Sequence, residues 1–339
     1  MKDKHITLAY GSGGEKYHQL VKEVFYPAFA NPYLQSLSDA AICQLYGQKV
    51  AMTTDSFVVK PLFFPGGDIG RIAVCGTVND LAMSGAKPLF LTAGMIIEAG
   101  FPVEKLQRIC HSMAMAADEA GVAIVAGDTK VVDKGECDGI YINTAGVGIF
   151  DQQGQQAQLS PSLVQAGDAI IVSGEVGSHG MAVMAARHNL GFSEPIISDV
   201  APLNTLVQQI IAIPDAVKLL RDPTRGGIAS TLNEWSDDFK MSIEIAESAV
   251  PISPQVRSAC ELLGLDPFYS ANEGKFLAIV AKAKAELVLQ KLRSHPLGAK
   301  SAIIGQVVDA KPHGVYARTS IGSQRIVGMI DGEQLPRIC

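Results

Sequence analysis

Apolar runs of strand length alternate with segments of helical period along almost the whole chain. That order favours layered α/β domains with mixed sheets over a helical bundle or a β-sandwich. In the first half, 50–54, 89–97, 122–126 and 140–149 read as strands. Between them Pro102 opens a helix with Val103, Leu106, Cys110, Met113 and Ala117 on its apolar face, and Gly121 closes it. The glutamine-rich stretch 151–158 has little that can pack, so it marks a domain boundary. Beyond it, strands are predicted at 169–173, 241–245, 275–280 and 302–308. Helices are predicted from His179 and over 202–213, 226–238, 253–263 and 284–294. After residue 310 only two short strand candidates, 315–319 and 325–329, precede the end. The expected organisation is therefore an α/β domain over 1–152, a second over 159–310 and a flexible tail over 311–339.

The 339 residues divide naturally into two such domains, since domains commonly hold about 150 residues. A net charge of −6 with no basic block argues against a nucleic-acid or membrane-surface partner. Apolar stretches fall well short of the ~20 residues that cross a bilayer, and the N-terminus carries no signal-peptide core. A cytoplasmic location with reduced thiols is expected. The six cysteines form no C-x-x-C pair and no zinc-ribbon spacing. Cys75, Cys110 and Cys260 sit among apolar neighbours and read as core filler. Cys339 differs: it is the last residue, preceded by Leu335-Pro336-Arg337-Ile338, with no local pattern that buries it.

Several segments could carry chemistry. Four aspartates fall at strand ends or in loops of the first half: Asp39 in LSDAA, Asp55 in TTDSF, Asp80 in TVNDLAM and Asp128 in AGDTK. Loop carboxylates suit magnesium held jointly with nucleotide phosphates, although a turn or cap role explains each one singly. Gly11-Ser12-Gly13-Gly14 offers backbone N–H groups to an anion, or serves as a plain linker with Lys16 behind it. Phe64-Pro65-Gly66-Gly67-Asp68 is a second glycine-rich loop that a turn explains equally well. Arg221-Asp222-Pro223-Thr224-Arg225-Gly226-Gly227 places two arginines before a helix, which makes either an anion site or a capped turn. Glu273, in the loop SANEG, is either a general base or a solvated acid. His179 opens a helix and reads as structural or as support for the site. P-loop, dinucleotide-fold, zincin and nucleophile-elbow motifs are absent.

Taken together, GSGG (11–14), residues 53–88, AGDTKVV (126–132), SGEVGSHGMAVMAAR (173–187), RDPTRGGIASTLNE (221–234), LGLDPFYSANEG (263–274) and LPRIC (335–339) resemble the HypE family of hydrogenase maturation factors. That family lies within the PurM-like (aminoimidazole ribonucleotide synthetase) superfamily, and the resemblance covers essentially the whole chain. It implies an α/β fold of two PurM-like domains, the first dimerising through its sheet into a β-barrel. It implies ATP and Mg2+, with Asp39, Asp55, Asp80 and Asp128 as metal ligands. Gly11, Gly13, Gly14, Asn79, Asp80, Asp128, Thr129 and Arg225 would bind the nucleotide. Where relatives often carry two acids before Ala-Ala, this chain has Ser38-Asp39, so Asp39 acts alone.

The resemblance also implies a reaction. A partner carbamoyltransferase, HypF, loads the terminal cysteine as a thiocarboxamide, and ATP-dependent dehydration turns it into a thiocyanate. Cyanide then passes to iron on a HypC–HypD scaffold. Cys339 would carry the cargo, Glu273 would take protons and Lys130 would polarise the reacting oxygen. Selenophosphate synthetase or a small-molecule kinase of the same superfamily is an alternative. The former expects a Cys in the glycine-rich N-terminal loop, which here has none, and neither gives the terminal thiol a role. A non-catalytic carrier would not need the aspartates.

Overall fold

The strand-like runs pair into two mixed sheets, each backed by helices, in a computed structural model that describes residues 5–11, 14–29, 31, 33, 39–150, 159–192, 194–330, 335 and 338–339. The expected boundary at 151–158, Gly13, Ser38 and the pair Pro336-Arg337 lie outside the described residues.

The first sheet contains β1 (Ala41–Leu45), β2 (Gln48–Phe57), β5 (Lys87–Glu98), β6 (Ala123–Val132) and β7 (Ile140–Ile149), in the order β1-β2-β7-β5-β6. The β3 (Phe63–Phe64) and β4 (Gly67–Asp68) strands form a separate ribbon. One face of the sheet packs on the helices Ile69–Met83 and Val103–Ala120 in a common core. The opposite face leaves Met52, Phe90 and Ile96 exposed.

Ile69–Met83 escaped the sequence reading because it has no polar face. Every residue except Arg71 and Asp80 is buried, so no 3.6-residue alternation shows. Its start is nevertheless written locally: the Asp68 carboxylate accepts from the N–H groups of Gly70 and Arg71. The helix lies tight on the sheet at Gly146, where a Cβ would come within 2.7 Å of Thr77. Val103–Ala120 ends at Gly121 in the left-handed region, φ 68°, as its sequence implied. Its buried face is Ile109, Met113, Ala116, Ala117 and Ala120. Val103 and Cys110 are exposed, so Cys110 is not core filler: Ile109, one position earlier, takes the inward place.

The second sheet runs β14-β13-β10-β12-β8-β11-β9, with β8 (Ala169–Val172), β9 (Val217–Arg221), β10 (Ser242–Ala246), β11 (Leu277–Val280), β12 (Ala302–Val308), β13 (Val315–Arg318) and β14 (Gln324–Ile326). Helices cover both faces, which is why β8 and β11 read as unbroken apolar runs. Leu277 and Ile279 pack with Gly227–Phe239, whereas Ala278 and Val280 pack with Asn204–Ile211 and Ala285–Arg293.

The tail expected from residue 311 is shorter than that. The β13 strand pairs in parallel with β10, from Ile243↔Val315 to Ala246↔Arg318, and β14 adds to β13. Val315, Ala317, Val327 and Ile330 are buried. Two short strands with one buried face each gave a weak local signal, but docking on β10 supplies the partner that stabilises them.

Candidate active site

The two domains meet along a cleft whose walls come from β2, the Ile69–Met83 helix, the loop after β9 and the start of Gly227–Phe239. A cavity of about 260 Å3 there is lined by Asp39, Thr53, Asp55, Asp80, Arg221, Asp222, Arg225 and Glu234, among others. Gly226 and Gly227, φ 78° and 60°, give the turn that points this loop into the cleft. A Cβ on Gly227 would meet the Phe268 carbonyl at 2.5 Å.

The carboxylates crowd one another. Burial pushes Asp39 up to about 6, with Arg221 opposing and Glu234 adding to the rise. Burial also raises Asp55, against Arg225. Asp80 stands well above the usual carboxylate range through burial and then Asp222, Asp39 and Asp55. Asp222 is pushed up to about 8 by burial and Asp39. Arg221 and Arg225 offset part of this repulsion. Arg221 Nε lies 3.0 Å from Asp39 and its NH1 lies 3.1 Å from Glu234. Burial would raise Glu234, but Arg221 and the His18 hydrogen bond at 2.9 Å hold it below its ordinary value. Thr53 donates to Asp80 Oδ2 at 2.8 Å.

Among the described residues no three such groups converge tightly enough to cage a metal ion. The donor set is nonetheless all hard oxygen, anionic and mutually repelling, which suits magnesium shared with phosphates and water rather than a closed protein cage. Asp222 went unassigned in the sequence reading; its only signal was an acid inside an arginine-flanked turn. Glu234 gave no signal, being a lone acid within a helix.

The terminal thiol lies beside this cavity, near Arg225 and Asp55 of its lining. Glu273 is the foremost charged neighbour acting on the Cys339 sulfur, and Arg225 and Asp55 also stand close enough to influence it. Burial, followed by Glu273, raises the thiol far above the usual range, so the docked thiol keeps its proton. Glu273 is itself 2% exposed and raised well above the usual range by burial and then Asp222, Asp55 and Asp199. Its Oε1 has no hydrogen-bond partner. The loop beneath it is pinned by Asp199, whose carboxylate accepts from Glu273 N–H at 3.4 Å and Gly274 N–H at 3.2 Å. Gly274 is obligatory here, because a Cβ would fall 1.7 Å from the Asp199 carbonyl.

Other candidate residues are placed differently from the sequence reading. Asn79 is buried away from the cavity. Its amide donates to the Ala201 and Glu273 carbonyls and accepts from Leu203 N–H, so it ties the helix to the second domain rather than facing a nucleotide. Gly11 offers its carbonyl to Arg225 at 3.0 Å, and Gly14 packs on Ile330, where a Cβ would come within 2.4 Å. Asp128, Thr129 and Lys130 lie on exposed β6. The register Asp55↔Thr144, Thr144↔Ala93, Ala93↔Gly127 puts Asp128 about three strand spacings, ~14 Å, from Asp55. Within one chain Asp128 therefore does not join the other three aspartates, and Lys130 lies on the same edge strand.

Comparison with known proteins follows the same lines. Residues 37–150 match the family model of the AIR synthase related protein N-terminal domain, and 165–318 match that of the C-terminal domain. The carbamoyl dehydratase HypE of Rhizobium leguminosarum bv. viciae is 49% identical over 98% of this chain and 95% of its own. A crystal structure of a HypE–HypF complex is 51% identical, covers 92% of this chain and 99% of that one, and has a TM-score of 0.85. A structure of HypE in complex with ATP is 44% identical, covers 99% and 100%, and has a TM-score of 0.82.

Proposed function

Because the chain belongs to the carbamoyl dehydratase HypE family, within the AIR synthase related proteins, we propose that it dehydrates a carbamoyl group carried on its own Cys339, using ATP. The single observation that carries this reading is the C-terminal thiol placed near Glu273, Arg225 and Asp55 at the edge of the aspartate-lined cleft.

Turning S–C(=O)–NH2 into S–C≡N requires expelling the carbonyl oxygen, and oxide is not a leaving group near neutral pH, whereas phosphate is. The amide oxygen therefore attacks the γ-phosphate of ATP and releases ADP. The O-phosphorylated imidate then loses its remaining nitrogen proton and inorganic phosphate to leave the nitrile. Glu273 is the proposed base. Its carboxyl sits beside the sulfur that bears the cargo, and burial makes its ionised form a stronger base than a solvated glutamate. Arg225, between Cys339 and Asp55, is placed to hold phosphate oxygens near the cargo. Asp39, Asp55, Asp80 and Asp222 would hold magnesium, which offsets charge on the phosphates.

HypF is the partner that loads the thiol. We propose delivery to iron on a HypC–HypD scaffold and a cytoplasmic location, in keeping with the lack of any helix, among the described residues, long and apolar enough to cross a membrane. We also propose a homodimer through the uncovered apolar face of the first sheet, with Asp128, Thr129 and Lys130 on its edge strand acting in that assembly. In domain terms we propose two PurM-like units, one over 1–152 and a second that starts at 159 and takes in β13 and β14 beyond residue 310. Cys339→Ala should bind ATP like the unaltered protein yet yield no thiocyanate. Normal hydrogenase maturation in cells carrying Cys339→Ala would contradict the reading.

A further inference from the structure

The residues that hold the tail are separate from those that hold phosphates. His179 is 0% exposed and packs edge-on against Phe64, with ring centroids 5.3 Å apart. Its Nδ1 lies 2.8 Å from Ser198 Oγ and its Nε2 lies 2.6 Å from the Ile338 carbonyl oxygen. A carbonyl only accepts, so Nε2 carries a hydrogen. Ser198 Oγ already accepts from Val200 N–H at 3.2 Å, which leaves its own hydrogen for Nδ1. The ring is thus fixed in one tautomer and aimed at the peptide bond that precedes Cys339. Burial lowers the pKa of His179, in keeping with a neutral ring.

The neighbouring contacts serve the same segment. Val58 N–H donates to a terminal carboxylate oxygen of Cys339 at 3.2 Å, and Val59 forms an antiparallel bridge with Ile338. Ile338 is 3% exposed, and Leu335 packs into the apolar cluster of Met181, Val256 and Cys260. Gly180, next to His179, leaves room for this packing, since its Cβ would lie 3.2 Å from Leu335 Cδ1. His179 is the one side chain in this set that hydrogen-bonds the tail, and nothing in the dehydration chemistry calls for it.

We propose that His179 is a positioning residue that latches the tail: its Nε2–H, oriented by Ser198, holds the Ile338 carbonyl and so fixes the Cys339 sulfur beside Glu273. Release of that bond accompanies exit of the tail to be loaded or to deliver its cargo. The purpose of the latch rests on the dehydratase reading, but its existence can be measured without turnover.

The test is maleimide labelling of the full-length protein, with Cys339 followed against exposed Cys110 by peptide mass spectrometry. His179→Phe keeps an aromatic ring against Phe64 and removes the donor. It should raise the Cys339-to-Cys110 labelling ratio about tenfold, the scale expected when a buried carbonyl loses its partner. His179→Gln, which restores an N–H donor, should return the ratio to within about twofold of the unaltered protein. In single turnover of the carbamoylated protein, His179→Phe should lower the maximal rate and leave the half-saturating ATP concentration unchanged, a split that general destabilisation would not produce. Should His179→Phe fail to fold, Ser198→Ala, which keeps the imidazole but removes the hydroxyl that orients it, decides by the same labelling ratio. A ratio equal to that of the unaltered protein in whichever variant folds overturns the latch. If the unaltered protein forms no nitrile, the dehydratase reading fails while the labelling result still stands.

Discussion

Replacing Asp222 by Asn sets stability against function. Burial and Asp39 push this carboxyl up to about 8, with Arg221 pulling the other way. In the unfolded chain it titrates near 3.9. Between those values the folded protein holds a proton that the unfolded chain releases, so stability is greatest below about pH 4, falls as pH rises to about 8 and is level beyond. A separation of about four pH units, at about 1.4 kcal/mol each, bounds the loss at about 6 kcal/mol. The proton is shared among coupled carboxylates, which reduces the part recoverable at Asp222 to about 1–3 kcal/mol. Asn cannot ionise and is nearly isosteric. Without nucleotide or divalent cation, Asp222→Asn should therefore melt several degrees above the unaltered protein at pH 8 and converge with it near pH 4. Mg-ATP should raise the Tm of the unaltered protein and leave the variant nearly unmoved. Thermal denaturation from pH 4 to 9, with and without Mg-ATP, reads both effects. A ligand-free variant that melts lower at pH 8, or equal protection by Mg-ATP, refutes the reasoning.

Three further substitutions probe separate parts of the site. Glu273→Gln should retain ATP binding and lose about 10²–10⁴-fold in single-turnover nitrile formation, and a rate within tenfold of the unaltered protein removes Glu273 as base. Arg221→Met leaves Asp39 and Glu234 without their guanidinium partner and should lower unfolding free energy by about 3 kcal/mol in urea titration at pH 7. No change there would mean that the pair is solvated. Gly274→Ala forces a methyl into the Asp199 carbonyl and should destabilise by about 2 kcal/mol or more; unaltered stability would show that the loop relaxes freely.

Much of this architecture could be read from the sequence, and the misses share physical causes. Strand β7 and the helix Val103–Ala120 were legible because each presents one buried face at its own period. The Ile69–Met83 helix was not, since burial on all sides erases the period. The strands β13 and β14 looked like tail because their stability comes from β10, some seventy positions earlier in the chain. Aspartates in motifs pointed to the cleft, but only the fold shows that Asp39 is held by Arg221 or that Asp128 lies on another strand. Asn79 sits beside Asp80 in sequence, yet a helix turns successive side chains by about 100°, so one faces the cavity and the other the second domain. His179 read as structural or as support for the site, but its partner could not be named because it lies 159 positions away.

The central claim is that Cys339 is a covalently held substrate of the chain's own cleft. The direct measurement supplies Mg-ATP to the protein carbamoylated at Cys339 and follows the C-terminal peptide by mass spectrometry and the infrared nitrile region. The account predicts the loss of one water from that peptide, the appearance of a nitrile stretch and the release of ADP in equal amount. A carbamoylated peptide left unchanged while ATP is bound or hydrolysed would contradict it.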